Sequence, residues 1–205
     1  QQWAGDLNTV TTQTPEQQAA TLAAHEPVAG EGYEVDSKRY QVLQNAIVKV
    51  NQERQKDPMA WAIQNNIGGA QPLDFSDMGK LSDGLGDRES IAIANSKTYG
   101  TPQNILTMDE AKGLSKHLAS LNIDSKLAYI GAMADGVSSP DVYRQTMQQL
   151  RPDSPVTAMA GAYVGIGGKV AVATHMFSAD ENVTALNVAE NLIRGEALLN
   201  PTKAN

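Results

Sequence analysis

One short grammar constrains this chain more than anything else in it: a hydroxyl residue followed by proline. It occurs at Thr14-Pro15, Thr101-Pro102, Ser139-Pro140 and Ser154-Pro155. A Ser or Thr side chain can accept from the free amides of a first helical turn, and proline suits the first helical position because it has no N–H to leave unpaired. Three capping boxes add to this pattern, with a hydroxyl residue and then Gln or Glu three positions on: Thr14/Gln17, Thr107/Glu110 and Ser178/Glu181. Such punctuation predicts helix after helix. The one alternating stretch, Val170-Ala171-Val172, also suits a helix. The expected fold is all-α, a compact domain of eight or nine helices with no significant sheet.

Taken in order, residues 1–13 are polar and aperiodic around Trp3 and read as an extended arm or linker. Residues 14–67 read as N-terminal helices. The clearest is amphipathic over 36–56, after a loop at 26–35. Its stripe of Tyr40, Leu43, Ile47 and Val50 has helical spacing and is interrupted by Arg54. Such a stripe suits packing on a core. It is also the chain's candidate for a face that meets a partner. Asp57-Pro58 opens a further helix. Residues 68–87 carry five glycines and read as a glycine-rich loop, after which Asp87 caps a helix. Residues 88–205 read as a C-terminal helical core, with helix starts at Thr107, Asp124, Ser139, Ser154 and Ser178.

Residues 154–177 are the longest weakly polar run, with Lys169 its only permanent charge. The small residues Ala158, Gly161, Ala162, Gly165, Gly167 and Gly168 suit close helix packing or contact with a membrane. The run is long enough to cross a bilayer, which takes about 20 residues. However, Gly167-Gly168-Lys169 interrupts it, and a central lysine is costly in lipid. Two helices, over 155–166 and 169–177, are expected, with membrane contact only after rearrangement. Nucleotide binding by its glycines is disfavoured. A phosphate loop needs Gly at Tyr163 and a hydroxyl at Val170, and a dinucleotide fingerprint needs its third Gly at Val170.

No catalytic signature emerges. Arg88-Glu89-Ser90 resembles the Glu-Ser pair of lytic transglycosylases, in which a buried Glu protonates the glycosidic oxygen. Glu89 is therefore carried as a weak catalytic candidate, although an acid near a helix start is also favoured by the helix dipole. The acids Asp74, Asp77, Asp83, Asp87 and Glu89 lack calcium-loop spacing and read as a solvated loop. His25, His117 and His175 form no metal-binding pair, and with no cysteine there are neither disulfides nor thiolate sites. No cofactor and no metal are expected. A net charge of -7 argues against a surface that binds DNA through phosphate contacts. The absence of an initiating Met or a charged-then-apolar leader reads as a piece of a longer polypeptide.

Several phrases carry a resemblance: GEGYEVDSKRYQVLQNA at 30–46, ERQKDPMAWAIQNN at 53–66, MDEAKGLSKHL at 108–118, YRQTMQQLRPDSPVTAMAGAYV at 143–164 and LIRGEALLNP at 192–201. Together they resemble a segment of the large internal virion, or DNA-ejection, proteins of short-tailed phages and related prophages. The resemblance implies a structural, non-enzymatic module of the virion. Its partners would be copies of itself, the portal, the tail and other ejection proteins. It would act near the portal and, after ejection with the DNA, in the host cell envelope. Two alternatives go with it. One is a module of a virion-associated peptidoglycan lytic transglycosylase, the parent polypeptide carrying that domain elsewhere. The other is a tail or scaffolding protein, which would need long unbroken heptads.

Overall fold

The structure is a computed structural model that describes residues 2–167 and 185–199. The described residues are helical, with no strand among them. The described residues form ten α-helices: α1 (Gln2–Thr9), α2 (Pro15–Ala24), α3 (Tyr33–Lys56), α4 (Pro58–Gln64), α5 (Met78–Tyr99), α6 (Met108–Ser120), α7 (Ile123–Gly136), α8 (Pro140–Leu150), α9 (Pro155–Gly167) and α10 (Ala185–Leu199). A single 3-10 turn, Ile67–Gly69, follows α4. The all-α expectation holds.

The caps explain where most helices begin. Thr14 and Thr107 form complete capping boxes with Gln17 and Glu110. Asp57 accepts from the Ala60 amide, Asp77 from Lys80 and Ser139 from Val142. Each such bond satisfies an amide that the helix itself leaves unpaired. At α7 the cap is Asn122, accepting from Ser125 at 2.8 Å, rather than the expected Asp124, which already lies inside the first turn.

Four sequence expectations need correction. Residues 2–9 are helical, not an extended arm: Leu7 and Val10 pack on Leu43 and Ile47, and this burial outweighs a weak local preference. Helix α3 starts at Tyr33, because Gly32 adopts a left-handed backbone (φ 89°) that turns the chain into it, and Glu34 and Asp36 suit its first turn. Thr101-Pro102 opens no helix. Residues 101–107 have no regular secondary structure, with Thr101 buried and Ile105 and Leu106 fully buried. Finally, the loop expected over 68–87 ends at Asp77, and Gly79, Gly84 and Gly86 lie inside α5.

The α5 glycines are explained by what they touch. A Cβ on Gly84 would come within 2.7 Å of Leu73 Cδ2, and one on Gly86 within 3.2 Å of the Gly136 carbonyl oxygen. Reciprocally, a Cβ on Gly136 would sit 2.5 Å from the Ser82 carbonyl oxygen. Helices α5 and α7 therefore cross backbone to backbone, an approach only glycine permits. The main core lies around this crossing and runs from Met59 and Trp61 through Leu81, Leu85, Ile105, Leu114 and Met133 to Leu150 and Ala158. A second cluster joins Ile130 of α7, Ala160 of α9, and Ala189 and Ile193 of α10.

Candidate functional site

The charged chemistry of the body converges on Arg88, in the middle of α5. Its side chain is 2% exposed and faces Glu110, the N3 residue of the α6 capping box. Nη1 donates to Glu110 Oε2 at 2.6 Å, and Nη2 donates to Oε1 at 2.8 Å. Nε donates to the Gln71 carbonyl at 3.0 Å, and Nη1 also reaches the Ile105 carbonyl at 2.9 Å. Glu110 in turn accepts from the amides of Leu73 and Thr107, both at 2.9 Å. A guanidinium and a carboxylate thus bind two irregular segments, near 71–73 and 105–107, to α5 and α6. The planar fork of arginine fits such bidentate pairing.

Burial by itself would raise the Glu110 pKa. The hydrogen bonds from Arg88, Leu73 and Thr107 and the Arg88 charge outweigh it, leaving the carboxyl below its ordinary range. The pair is saturated internally, which suits a staple for the fold.

Glu89, the catalytic candidate, faces the other way. Its side chain accepts from the Ser138 amide at 2.9 Å and the Ser139 amide at 2.5 Å, using one oxygen for each. The residue is 8% exposed. It holds the junction between α7 and α8. The cleft on the opposite side of α5 has a volume of about 320 Å³ and is lined by Asp74, Asp83, Asp87 and Arg88, not by Glu89. The acids there are dispersed in role. Asp74 bonds Ser76 and Lys80, which hold its pKa down to about 2, and Asp77 caps α5. Among the described residues no group of three or more His, Asp or Glu could hold a metal ion.

The small-residue face of α9 packs on α8. Ala158 and Gly161 are buried there, and Ala162 is half-buried. A Cβ on Gly161 would stand 2.3 Å from Met147 Sδ, so that glycine makes room for the methionine. The Tyr143 hydroxyl donates to the Gly161 carbonyl at 2.9 Å, and burial pushes the pKa of this phenol well up. Gly165 and Gly167 belong to the end of α9. Gly168, the helix expected over 169–177, His175 and the capping box at Ser178 lie outside the described residues. Among the described residues no helix is long and apolar enough to cross a membrane.

The candidate partner stripe on α3 is occupied from within. Leu43, Ile47 and Val50 are buried and Tyr40 is half-buried, with Leu43 and Ile47 packed against Leu7, Val10 and Leu22 of the chain's own N-terminal segment. Arg54 continues the stripe instead of ending it, at 1% exposure. The roles of Arg88 and Arg54 were missed in the sequence because their partners lie far away along the chain. Only Glu110 had a local signal, through its capping box. No protein-family model, no curated protein and no solved structure matches this chain.

Proposed function

We propose that this chain is a structural, non-enzymatic helical module of a phage virion protein, one that assembles near the portal or tail and is ejected with the DNA to help form a conduit across the host envelope. The run of phrases resembling internal virion proteins, spread from Gly30 to Pro201, carries the reading. What supports it further is how two acids of the interior, the buried Glu89 and the half-buried Glu110, are used. Glu89 and Glu110 both have their two carboxylate oxygens committed to protein donors. A general acid in glycoside hydrolysis must instead present its proton to a bound sugar.

The test is mass spectrometry of purified virions, together with negative-stain imaging of the full-length parent protein. Rings or tubes of copies and a virion-derived peptide set support the reading. A monomer that is absent from virions refutes it. A peptidoglycan zymogram checks the enzymatic alternative, and clearing that disappears in Glu89→Gln would overturn the non-enzymatic assignment of this segment.

A further inference from the structure

Helices α1, α2 and α3 have a core of their own. Val10, Leu43 and Ile47 form a cluster with Leu7, Leu22 and Ala46, and no residue of these three helices belongs to the main core cluster. The N-terminal segment is therefore not continuous with the body through apolar packing of that core.

What joins them is a small set of side-chain contacts at the C-terminal end of α3. The Arg54 guanidinium lies between the rings of Trp61 and Tyr99, 4.5 Å and 4.2 Å from their centroids. Within the N-terminal segment itself, its Nη2 donates to the Thr11 and Gln13 carbonyls, at 2.9 Å and 3.2 Å, on the α1–α2 connection, which positions the guanidinium against those rings. The Tyr99 hydroxyl donates to the Thr12 carbonyl at 3.2 Å, and the Gln55 amide to the Gly100 carbonyl at 3.0 Å. The only covalent link passes through Asp57, a single non-helical residue between α3 and α4 (φ −142°, ψ 79°).

This junction carries opposed contributions. Stacking on two rings favours a buried guanidinium. Taking it out of water disfavours it, and Arg54 Nε and Nη1 are buried with no hydrogen-bond partner. Opening the junction would rehydrate those donors while leaving both apolar clusters intact. A contact with that balance is suited to release.

We propose that residues 2–56 form an arm that swings as a folded unit about Asp57, with Arg54 as the clasp that holds it on the body. The inference rests on packing alone, so its failure would leave the virion reading untouched.

The chain has no cysteine, so spin labels can be placed cleanly at Val48→Cys on the arm and Lys112→Cys on the body, both exposed positions. In the Arg54→Ala background, which removes the stacking surface as well as the charge, the label pair should gain a second, longer distance. Because the arm moves without unfolding, amide exchange within 2–56 should stay at its wild-type rate. Exchange within α5 to α8 should stay at its wild-type rate too. A single unchanged distance overturns the proposal, as does loss of protection in the arm or in α5 to α8. Leu43→Ala supplies an independent arm of the test: it should unfold 2–56 while the body keeps its protection, and a body that loses protection with it refutes the separation into two units.

Discussion

The closest backbone approach around α7 makes Gly136→Ala the sharpest probe of this fold. A Cβ there would lie 2.5 Å from the Ser82 carbonyl oxygen, 2.9 Å from Ser82 Cα and 3.0 Å from its carbonyl carbon. All three atoms are backbone of α5, so no rotamer change relieves the contact and the two helices must separate. Overpacking of this kind costs about 1–3 kcal/mol, and a backbone clash belongs at the upper end. Replacing Gly by Ala in a helix returns up to about 1 kcal/mol, leaving a net loss of roughly 2 kcal/mol. For a chain of this size the melting temperature should fall by about 4–8 °C. Gly131→Ala is the internal control, on the same helix and with nothing within 4 Å of the added carbon. That variant should be stabilised by roughly 0.5–1 kcal/mol. Thermal and urea unfolding of the two variants side by side decide the matter. If Gly136→Ala matches the wild type, or Gly131→Ala falls as far as Gly136→Ala, the account of the α5–α7 crossing is wrong.

Glu110→Gln removes the charge that pairs the buried Arg88, and because Glu110 itself is half-buried the cost should be about 2–3 kcal/mol at neutral pH by chemical denaturation. Because the folded-state pKa of Glu110 is lowered, its contribution is complete above the ordinary carboxylate value of about 4.3 and is lost as pH falls through the folded value. The gap between variant and wild type should therefore narrow below about pH 4, and a constant gap would refute the assignment. Glu89→Gln keeps one acceptor for two amides and sets an NH₂ group against the other, so the urea midpoint should drop by the equivalent of about 1–3 kcal/mol. Tyr143→Phe removes the buried bond to the Gly161 carbonyl and should lower stability by about 1 kcal/mol, read from the same denaturation curves.

What could be read from the sequence was what is decided within one helical turn. Thr14, Asp57, Thr107 and Ser139 cap helices because the side chain and the amide it bonds are three residues apart, and no distant segment has to be known. The all-α class follows from those signals. Asp87 was read as a cap and lies exposed in mid-helix, because the true start at Asp77 is followed by three glycines that look like loop. Their meaning depends partly on Gly136, which no local pattern connects to them. Thr101-Pro102 failed for a related reason. Arg88 and Gln149, each more than a dozen residues away, bind the Ile105 and Leu106 backbone and hold the segment out of a helix.

The same division separates the legible from the illegible in the candidate sites. Close packing was expected of Ala158 and Gly161, and both are buried on the α8 side of α9. Small residues at helical spacing define a face whatever covers it. The stripe on α3 was legible as a face too, but the identity of its cover was not, since Leu7 and Val10 lie in a stretch without apolar periodicity. Arg54 is the limiting case. On the stripe alone a guanidinium reads as an interruption, and only Trp61 and Tyr99, brought together from two other helices, make it part of the interior. Aromatic residues are only 5% of the chain, and two of them are placed around this one cation. The buried cation on α3 is therefore held by ring stacking, whereas the buried cation on α5, Arg88, is held by a carboxylate and carbonyls.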